Sequence, residues 1–432
     1  MKNALAVAIE ALSWMAYEGL GERTALFRAA DQLGASVDEL RQAHRTVMET
    51  IRFQNRIEHL ISVLLSPKSS ADIPHGVSSF LKILAYLRHV EHAEISEIER
   101  IIAFGRQILG WEELKPYENS IGRILFEPSN VRSQDENERI ALLTCHSSWY
   151  VERVLSVFGR DVGLRILTRD LTPLPFYLRA NPLRTSISNV ERTLKGMEAV
   201  GVPGVWRAVN LKSEHRKAMA LGEVVVQDLS GIVAGLVASP RPDDTVLDIC
   251  AAPGNKTSHV AAEMTNRGDI FAVDISPKRM IQWRLEMARA GVAIAYPIIS
   301  DATKLKLNLE ADLVIVDPPC SNAGVFAKNP SMKWRTSPSR LGSLTIRQLA
   351  ILNSASKHVR SGGSLIYCTC SILPEENEGI LEDFLHRNPD FYVERQRPFF
   401  GLPGLRGFER CQRFYPHLHN CSGYFIARLR KD

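Results

Sequence analysis

The chain has 432 residues, of which 45% are hydrophobic and 23% charged. That length calls for two or three domains, and that composition belongs to a folded globular protein rather than a disordered or fibrous one. A net charge of +5 and a pI near 8.8 suit a polyanionic partner without demanding one. The cysteines are Cys145, Cys250, Cys320, Cys368, Cys370, Cys411 and Cys421. An odd number, spread over a long chain and partly inside apolar runs, argues against a disulfide framework and for a reducing compartment.

The first segment, 1–135, reads as successive helices. Leu5, Ile9, Leu12 and Ala16 recur at helical spacing, as do Ile57, Leu60, Ile61 and Leu64, then Phe80, Leu84 and Leu87. Polar breaks at Ser66-Pro67-Lys68-Ser69-Ser70 and Ile73-Pro74-His75-Gly76 separate them. The apolar stretch behind Met1 is interrupted by Glu10 and falls short of a membrane span. A cytoplasmic protein without membrane contact, working as a monomer, is expected.

The second segment, 136–239, predicts a small α+β unit. Helical stretches at 150–158 and 188–200 alternate with short apolar runs such as Pro175-Phe176-Tyr177-Leu178-Arg179. Lys212, Arg216 and Lys217 form a small basic patch.

From 240 to 432 the pattern becomes strand, loop, helix. Val246 to Cys250, Ile270 to Asp274, Leu313 to Asp317 and Ser364 to Cys368 each precede a turn. Apolar strands alternating with amphipathic helices predict an α/β fold with a mainly parallel, doubly wound sheet. Ligands bind at the carboxyl ends of such strands. The run Cys250-Ala251-Ala252-Pro253-Gly254-Asn255-Lys256-Thr257 opens the first of these ends with small residues. Small residues let a ligand approach the backbone, and the helix behind them offers unpaired N–H groups. The glycine spacing of a P-loop is missing. Asp274 ends the next strand, where a carboxylate can accept bonds from ribose hydroxyls, and Ser300-Asp301 ends a third. Asp248, Asp274 and Asp301, three acidic strand ends in register, point to a nucleoside-containing cofactor.

Asp317-Pro318-Pro319-Cys320 and Thr369-Cys370-Ser371 deliver two cysteines to the same rim. A thiolate added to carbon 6 of cytosine makes carbon 5 nucleophilic enough to take a methyl group from a sulfonium, and a thiolate can leave again. Asp317 is placed to hydrogen-bond ring nitrogen 3, and Cys320 to help the carbon 5 proton depart. Cys250 and Cys368 read instead as buried strand-end residues. Lys328, Lys333, Arg335, Arg340 and Arg347, interleaved with Phe326 and Trp334, are expected to hold RNA phosphates and stack bases. Cys411, His417, His419 and Cys421 match no familiar zinc spacing, and no metal is expected.

Residues 240–432 resemble the catalytic domain of the Sun/Fmu-type (Nol1/Nop2/Sun) RNA cytosine-5 methyltransferases. The resemblance runs through Gln227-Asp228-Leu229-Ser230, Asp248 to Lys256, Asp274 with Arg279, Asp301, Asp317 to Ser321, Asn329-Pro330 with Lys333-Trp334, and Tyr367 to Ser371 followed by Pro374-Glu375-Glu376-Asn377. It implies a Rossmann-like domain that binds S-adenosylmethionine and methylates RNA. It further implies Cys370 as nucleophile, Cys320 as the residue that promotes release, and Asp317 and Lys256 as active-site partners. Cofactor contacts are implied from Cys250, Ala251, Ala252, Pro253, Gly254, Asn255, Lys256, Asp274, Arg279, Asp301 and Asp317. Trp149-Tyr150, Phe158-Gly159 and Leu178-Arg179-Ala180-Asn181 resemble the family's small RNA-recognition subdomain. Residues 1–135, with Ile121-Gly122-Arg123-Ile124-Leu125, resemble the NusB-like extension of the bacterial enzyme acting on 16S ribosomal RNA. Ribosomal RNA is therefore the expected partner, with transfer RNA as the alternative. Asn255 stands where the family has glycine, and asparagine tolerates a left-handed backbone. Asn322-Ala323-Gly324 replaces Gly-Thr-Gly, and Ser422-Gly423-Tyr424-Phe425 replaces Asp-Gly-Phe-Phe. Amino-group methylation would call for an aromatic residue in place of Cys320. A silent RNA-binding assembly factor would not need both Cys320 and Cys370.

Overall fold

The computed structural model describes residues 1–65, 73–128 and 133–432. The predicted break at Ser66 to Ser70 lies outside the described residues. Two compact units emerge, one of residues 1–172 with 326–335, the other of 173–325 with 336–432.

The first unit is helical: α1 (Lys2–Glu18), α2 (Glu22–Gln32), α3 (Val37–Arg52), α4 (Gln54–Leu65), α5 (His75–His89), α6 (Ile95–Leu109), α7 (Trp111–Leu114), α8 (Glu118–Phe126), α9 (Glu136–Thr144), α10 (Ser148–Phe158) and α11 (Arg160–Arg169). Local chemistry sets several ends. The Ser36 hydroxyl accepts from the Glu39 amide while the Glu39 carboxylate accepts from the Ser36 amide, a capping box opening α3. Gly19, at φ 65°, closes α1. Gly105 lies on α6 where an added Cβ would come within 2.3 Å of the Phe80 ring, so a glycine is what lets α5 and α6 close on their shared core. The helical unit runs to Arg169, past the expected boundary at 135. The turns between α9 and α11 are short, and their sequence does not reveal which core the helices join.

The second unit holds both sheets. In the smaller, β1 (Phe176–Ala180), β2 (Glu198–Ala199), β3 (Val205–Ala208) and β4 (Val224–Val226) pair antiparallel in the order β2-β3-β1-β4, with α12 (Ile187–Thr193) and α13 (Ser213–Ala220). The expected helix at 188–200 stops at Thr193, so that Glu198 and Ala199 pair with β3. The larger sheet follows α14 (Leu229–Ala238). Its strands are β5 (Thr245–Ile249), β6 (Asp269–Asp274), β7 (Ala295–Ile299), β8 (Ala311–Val316), β9 (Val359–Thr369), β10 (Phe391–Val393), β11 (Leu402–Pro403), β12 (Gln412–Phe414) and β13 (Tyr424–Lys431). In chain order the helices here are α15 (Asn255–Glu263), α16 (Pro277–Ala290), α17 (Ser331–Arg335), which belongs to the first unit, α18 (Pro338–Ser356), α19 (Glu378–Arg387) and α20 (Pro416–His419). The order β11-β12-β13-β9-β8-β5-β6-β7 is parallel from β9 to β7 and antiparallel where β13 meets β9. This is the Rossmann-like arrangement expected. Chain order reverses on either side of β5, which opens a crevice at the strand ends there.

The segment 326–335 belongs to the helical unit, not to the catalytic one in which its sequence lies. Arg52 Nη1 donates to the Ala327 carbonyl at 2.9 Å, Trp334 Nε1 to the Ile51 carbonyl at 2.8 Å, and Ser331 Oγ to Glu22 at 2.6 Å. Phe326 meets Tyr150 edge to face at 5.1 Å. Lys333 is buried, and burial lowers its pKa to about 8. The expectation that Phe326, Lys333 and Trp334 face RNA is therefore corrected: Phe326 and Trp334 fasten a strap to helices, and Lys333 is buried within it. Among the described residues no helix is long and apolar enough to cross a membrane.

Candidate active site

A cavity of ≈ 420 Å³ opens at the carboxyl ends of the parallel strands, within the size range of small-molecule sites. Of the residues expected there, Cys250, Ala252, Pro253, Asp274, Arg279, Asp301, Asp317, Cys320 and Cys370 line it. Ala251, Gly254, Asn255 and Lys256 do not. The wall is completed by Ile275, Ala302, Pro318, Pro319, Asn322, Arg340, Leu344, Arg347 and Ile351.

The turn after β5 shows why some of these residues stand behind the wall. Its left-handed residues are Cys250 (φ 62°) and Gly254 (φ 114°). Asn255 is the first residue of α15 and has no such conformation, so the anticipated left-handed strain at 255 is absent. A Cβ on Gly254 would fall 2.6 Å from Met287 Cε and 3.0 Å from Trp283 Cδ1. The glycine thus lets α15 pack on α16, and it does not clear a path for ligand. Trp283 Nε1 donates to Thr257 Oγ1 at 3.0 Å, and Thr257 donates to Asp248 at 2.6 Å. Burial raises the Asp248 pKa to about 6. Asp248 anchors the turn from behind.

At the cofactor end, Asp274 is buried and faces the cavity. It accepts from the Ser276 amide at 2.9 Å and the Ala252 amide at 3.3 Å, and pairs with Arg279 at 3.1 Å. Arg279 also donates to the Ala252 carbonyl. Asp301 caps a short turn, where the amide and hydroxyl of Thr303 lower its pKa. Carboxylate acceptors beside the apolar faces of Ile275, Ala302 and Ile351 suit the hydroxyls of a ribose and a flat heterocycle. The residues fit an adenosine-bearing cofactor.

At the other end the two sulfurs meet. Cys320 Sγ lies 3.1 Å from Cys370 Sγ. The contact with Cys370, together with burial, drives the Cys320 pKa well above its ordinary value. Cys370 is the more accessible of the two, and its Sγ donates to Asn322 Oδ1 at 3.0 Å. Lys256 forms an ion pair with Asp317. Burial works against the lysine's charge, but Asp317, Cys368 and Asp248 outweigh it and raise the pKa. Burial pushes Cys250 and Cys368 up to about 12, which suits the structural role expected for them.

Glu376, named in the sequence only as part of a motif, and Gln348 and Arg413, not named there at all, hold the cysteine loops. Glu376 is fully buried and accepts from the Ser321 amide at 2.7 Å, Ser321 Oγ at 2.5 Å and Gln348 Nε2 at 2.9 Å. Gln348 also donates to the Pro319 carbonyl at 3.0 Å. Behind Cys370, Arg413 pairs with Glu378 and donates to the Ile372 carbonyl at 2.8 Å. The loops are further stitched by Gly324 to Cys370 and Gly423 to Gly324 backbone bonds. An added Cβ on Gly324 would sit 2.0 Å from the Gly423 carbonyl oxygen. Ser422 donates to Asp228 through both its amide and hydroxyl, so a donor is what this position needs here. The Leu178 to Asn181 run builds β1: buried Arg179 bonds Gln227, and Asn181 bonds the carbonyls of Gly222 and Ala290. Lys212, Arg216 and Lys217 are exposed on and beside α13. Among the described residues no group of three or more His, Cys, Asp or Glu side chains could hold a metal ion.

Known proteins show the same architecture. The family described as "16S rRNA methyltransferase RsmB/F" matches residues 235–430. A Bacillus subtilis (strain 168) protein named probable ribosomal RNA small subunit methyltransferase B is 30% identical over 316 residues, 70% of each chain. The tRNA (cytosine(72)-C(5))-methyltransferase of Pyrococcus horikoshii is 38% identical over 217 residues, half of this chain and 54% of that protein. The crystal structure of PH0851 superposes with a TM-score of 0.86 at 26% identity, covering 100% of this chain and 99% of that one.

Proposed function

Because the chain belongs to the RsmB/F (Sun) family of S-adenosylmethionine-dependent RNA methyltransferases, we propose that it converts cytosine to 5-methylcytosine in ribosomal RNA through a covalent adduct at Cys370. The observation that carries the reading is the meeting of two thiols, Cys320 and Cys370, in one cavity with the Asp274 carboxylate. S-adenosylmethionine, when bound, supplies a methyl group on an electrophilic sulfonium centre. Asp274, Arg279 and Asp301 hold its nucleoside, with the Ala252–Pro253 turn beside them.

The chain's own residues do the rest. Cys370, as thiolate, forms a bond to carbon 6 of the target ring. The electron pair of the carbon 5–carbon 6 double bond moves onto carbon 5, the atom that becomes methylated. The proton that Cys370 gives up is taken at ring nitrogen 3, where Asp317, held in place by Lys256, accepts a hydrogen bond from it. After transfer, Cys320, its own proton first lost to solvent, takes the carbon 5 proton as thiolate; the double bond reforms, the carbon 6–sulfur bond breaks, and the departing Cys370 sulfur recovers the proton from nitrogen 3. Burial and the contact with Cys370 give Cys320 a high proton affinity, which suits this acceptor role. Arg340 and Arg347 are exposed at the cavity mouth, on the first half of α18, and offer cations for RNA phosphates. Cytosines outside helices, or flipped from them, fit such a pocket. The helical unit supports ribosomal over transfer RNA as the substrate.

Bisulfite sequencing of total RNA from cells with and without the gene tests the reading. One or more cytosines of the small-subunit ribosomal RNA should lose protection when the gene is absent. Loss confined to transfer RNA would overturn the ribosomal assignment, and no loss in any RNA would overturn the activity.

A further inference from the structure

Asn322 lines the cavity between the two cysteines and touches both. Its Oδ1 accepts from Cys370 Sγ at 3.0 Å, and its Nδ2 donates to the Cys320 carbonyl at 3.2 Å. The second bond fixes which end of the carboxamide faces Cys370, since a carbonyl can only accept. The side chain stands on a left-handed residue, φ 62°, a conformation asparagine adopts more readily than most residues.

The thiol hydrogen of Cys370 has two acceptors within reach, Asn322 Oδ1 at 3.0 Å and Cys320 Sγ at 3.1 Å. A carboxamide oxygen is much the better acceptor. With that hydrogen turned to Asn322, the sulfur-to-sulfur contact is left to run the other way, from the Cys320 thiol to the lone pairs of Cys370. Other titratable groups acting on the pair are Glu376 and Tyr367 on Cys320 and Tyr424 beside Cys370; Tyr367 gives its hydroxyl hydrogen to the Glu376 carbonyl, and Glu376 accepts from Ser321 and Gln348.

We infer that Asn322 is a positioning residue of the reaction: it parks the Cys370 thiol hydrogen in the resting enzyme and thereby orders the cysteine pair, with Cys370 held for substrate and Cys320 kept protonated. The inference rests on the reading of Cys370 as nucleophile. Substrate entering the cavity displaces the carboxamide from the sulfur and frees the thiol to ionise.

The test is the rate at which iodoacetamide alkylates Cys370 in the full-length protein, without RNA or cofactor, at one fixed pH, followed by peptide mass spectrometry. Glycine suits φ 62°, so Asn322→Gly should melt at the wild-type temperature. Losing an acceptor that favours the thiol, it should alkylate faster, by about threefold or more. Asn322→Asp puts a negative charge beside the same sulfur and should alkylate slower, by about threefold or more. A purely structural role would move both variants in one direction. Rates that stay unchanged, or shift together, overturn the inference. Methyl transfer by Cys370→Ser is the separate arm: retained turnover there would sink the nucleophile reading itself, whereas lost turnover with unresponsive alkylation would sink only the role of Asn322.

Discussion

Gly254→Ala tests how the cofactor turn is built. At φ 114° an alanine carries about 1–3 kcal/mol of backbone strain. Its Cβ would also fall 2.6 Å from Met287 Cε and 3.0 Å from Trp283 Cδ1. The methionine end can swing away, but the Trp283 ring is buried and tied to Thr257. Overpacking of this kind costs about 1–3 kcal/mol. The two effects together predict a loss of about 2–6 kcal/mol in urea unfolding, with weaker S-adenosylmethionine binding by calorimetry as α15 is pushed off α16. Asn255→Gly is the control. Residue 255 opens the helix in an ordinary conformation, so glycine there costs at most about 1 kcal/mol and leaves cofactor affinity unchanged. If Asn255→Gly proved the more damaging variant, the assignment of the left-handed position to Gly254 would be wrong.

Three further outcomes follow from the same contacts. Lys256→Met strands Asp317 without its ion pair and should slow single-turnover methyl transfer about 100-fold, with secondary structure intact by circular dichroism; an unimpaired rate would remove Lys256 from the site. His146, in the helical unit, and His259, in α15, are buried with pKa values lowered to about 4. Their folded values lie below the ordinary 6.5, so the stability they carry is complete above about pH 6.5 and drains away as pH falls toward 4, by about 3 kcal/mol each. Urea midpoints measured across that window should fall accordingly, and His146→Gln should flatten the slope for the helical unit. Glu378→Gln leaves buried Arg413 without its carboxylate, which should cost about 3–5 kcal/mol and loosen the Cys370 loop through the Ile372 carbonyl; a wild-type melting temperature would contradict this.

The catalytic sheet was legible because parallel strands announce themselves as apolar runs, and their carboxyl ends must gather at one edge. Asp274, Asp317, Cys320 and Cys370 each follow such a run, and all four line one cavity. What the strand pattern does not encode is the contact between loops. Glu376 holds Ser321, and Gln348 from another stretch of chain holds Glu376 and the Pro319 carbonyl, and Asn322 gains its role only when the Cys370 loop arrives beside it. The strap at 326–335 was misread for a related reason. Basic and aromatic residues look alike in sequence whether they grip RNA or pack on helices, and only the bonds to Arg52, Ile51 and Glu22 distinguish the two. The glycine-like conformation expected at Asn255 belongs to its neighbour, because Asn255 is already the first residue of α15.

The most direct measurement is of the adduct itself. Cys320→Ala, mixed with substrate RNA and S-adenosylmethionine and run on a denaturing gel, should trap a stable protein–RNA species, because the group that removes the carbon 5 proton is gone while Cys370 still adds. Cys320→Ala/Cys370→Ala should trap none. A crosslink that survives in the double variant, or normal turnover by Cys370→Ser, would contradict the account.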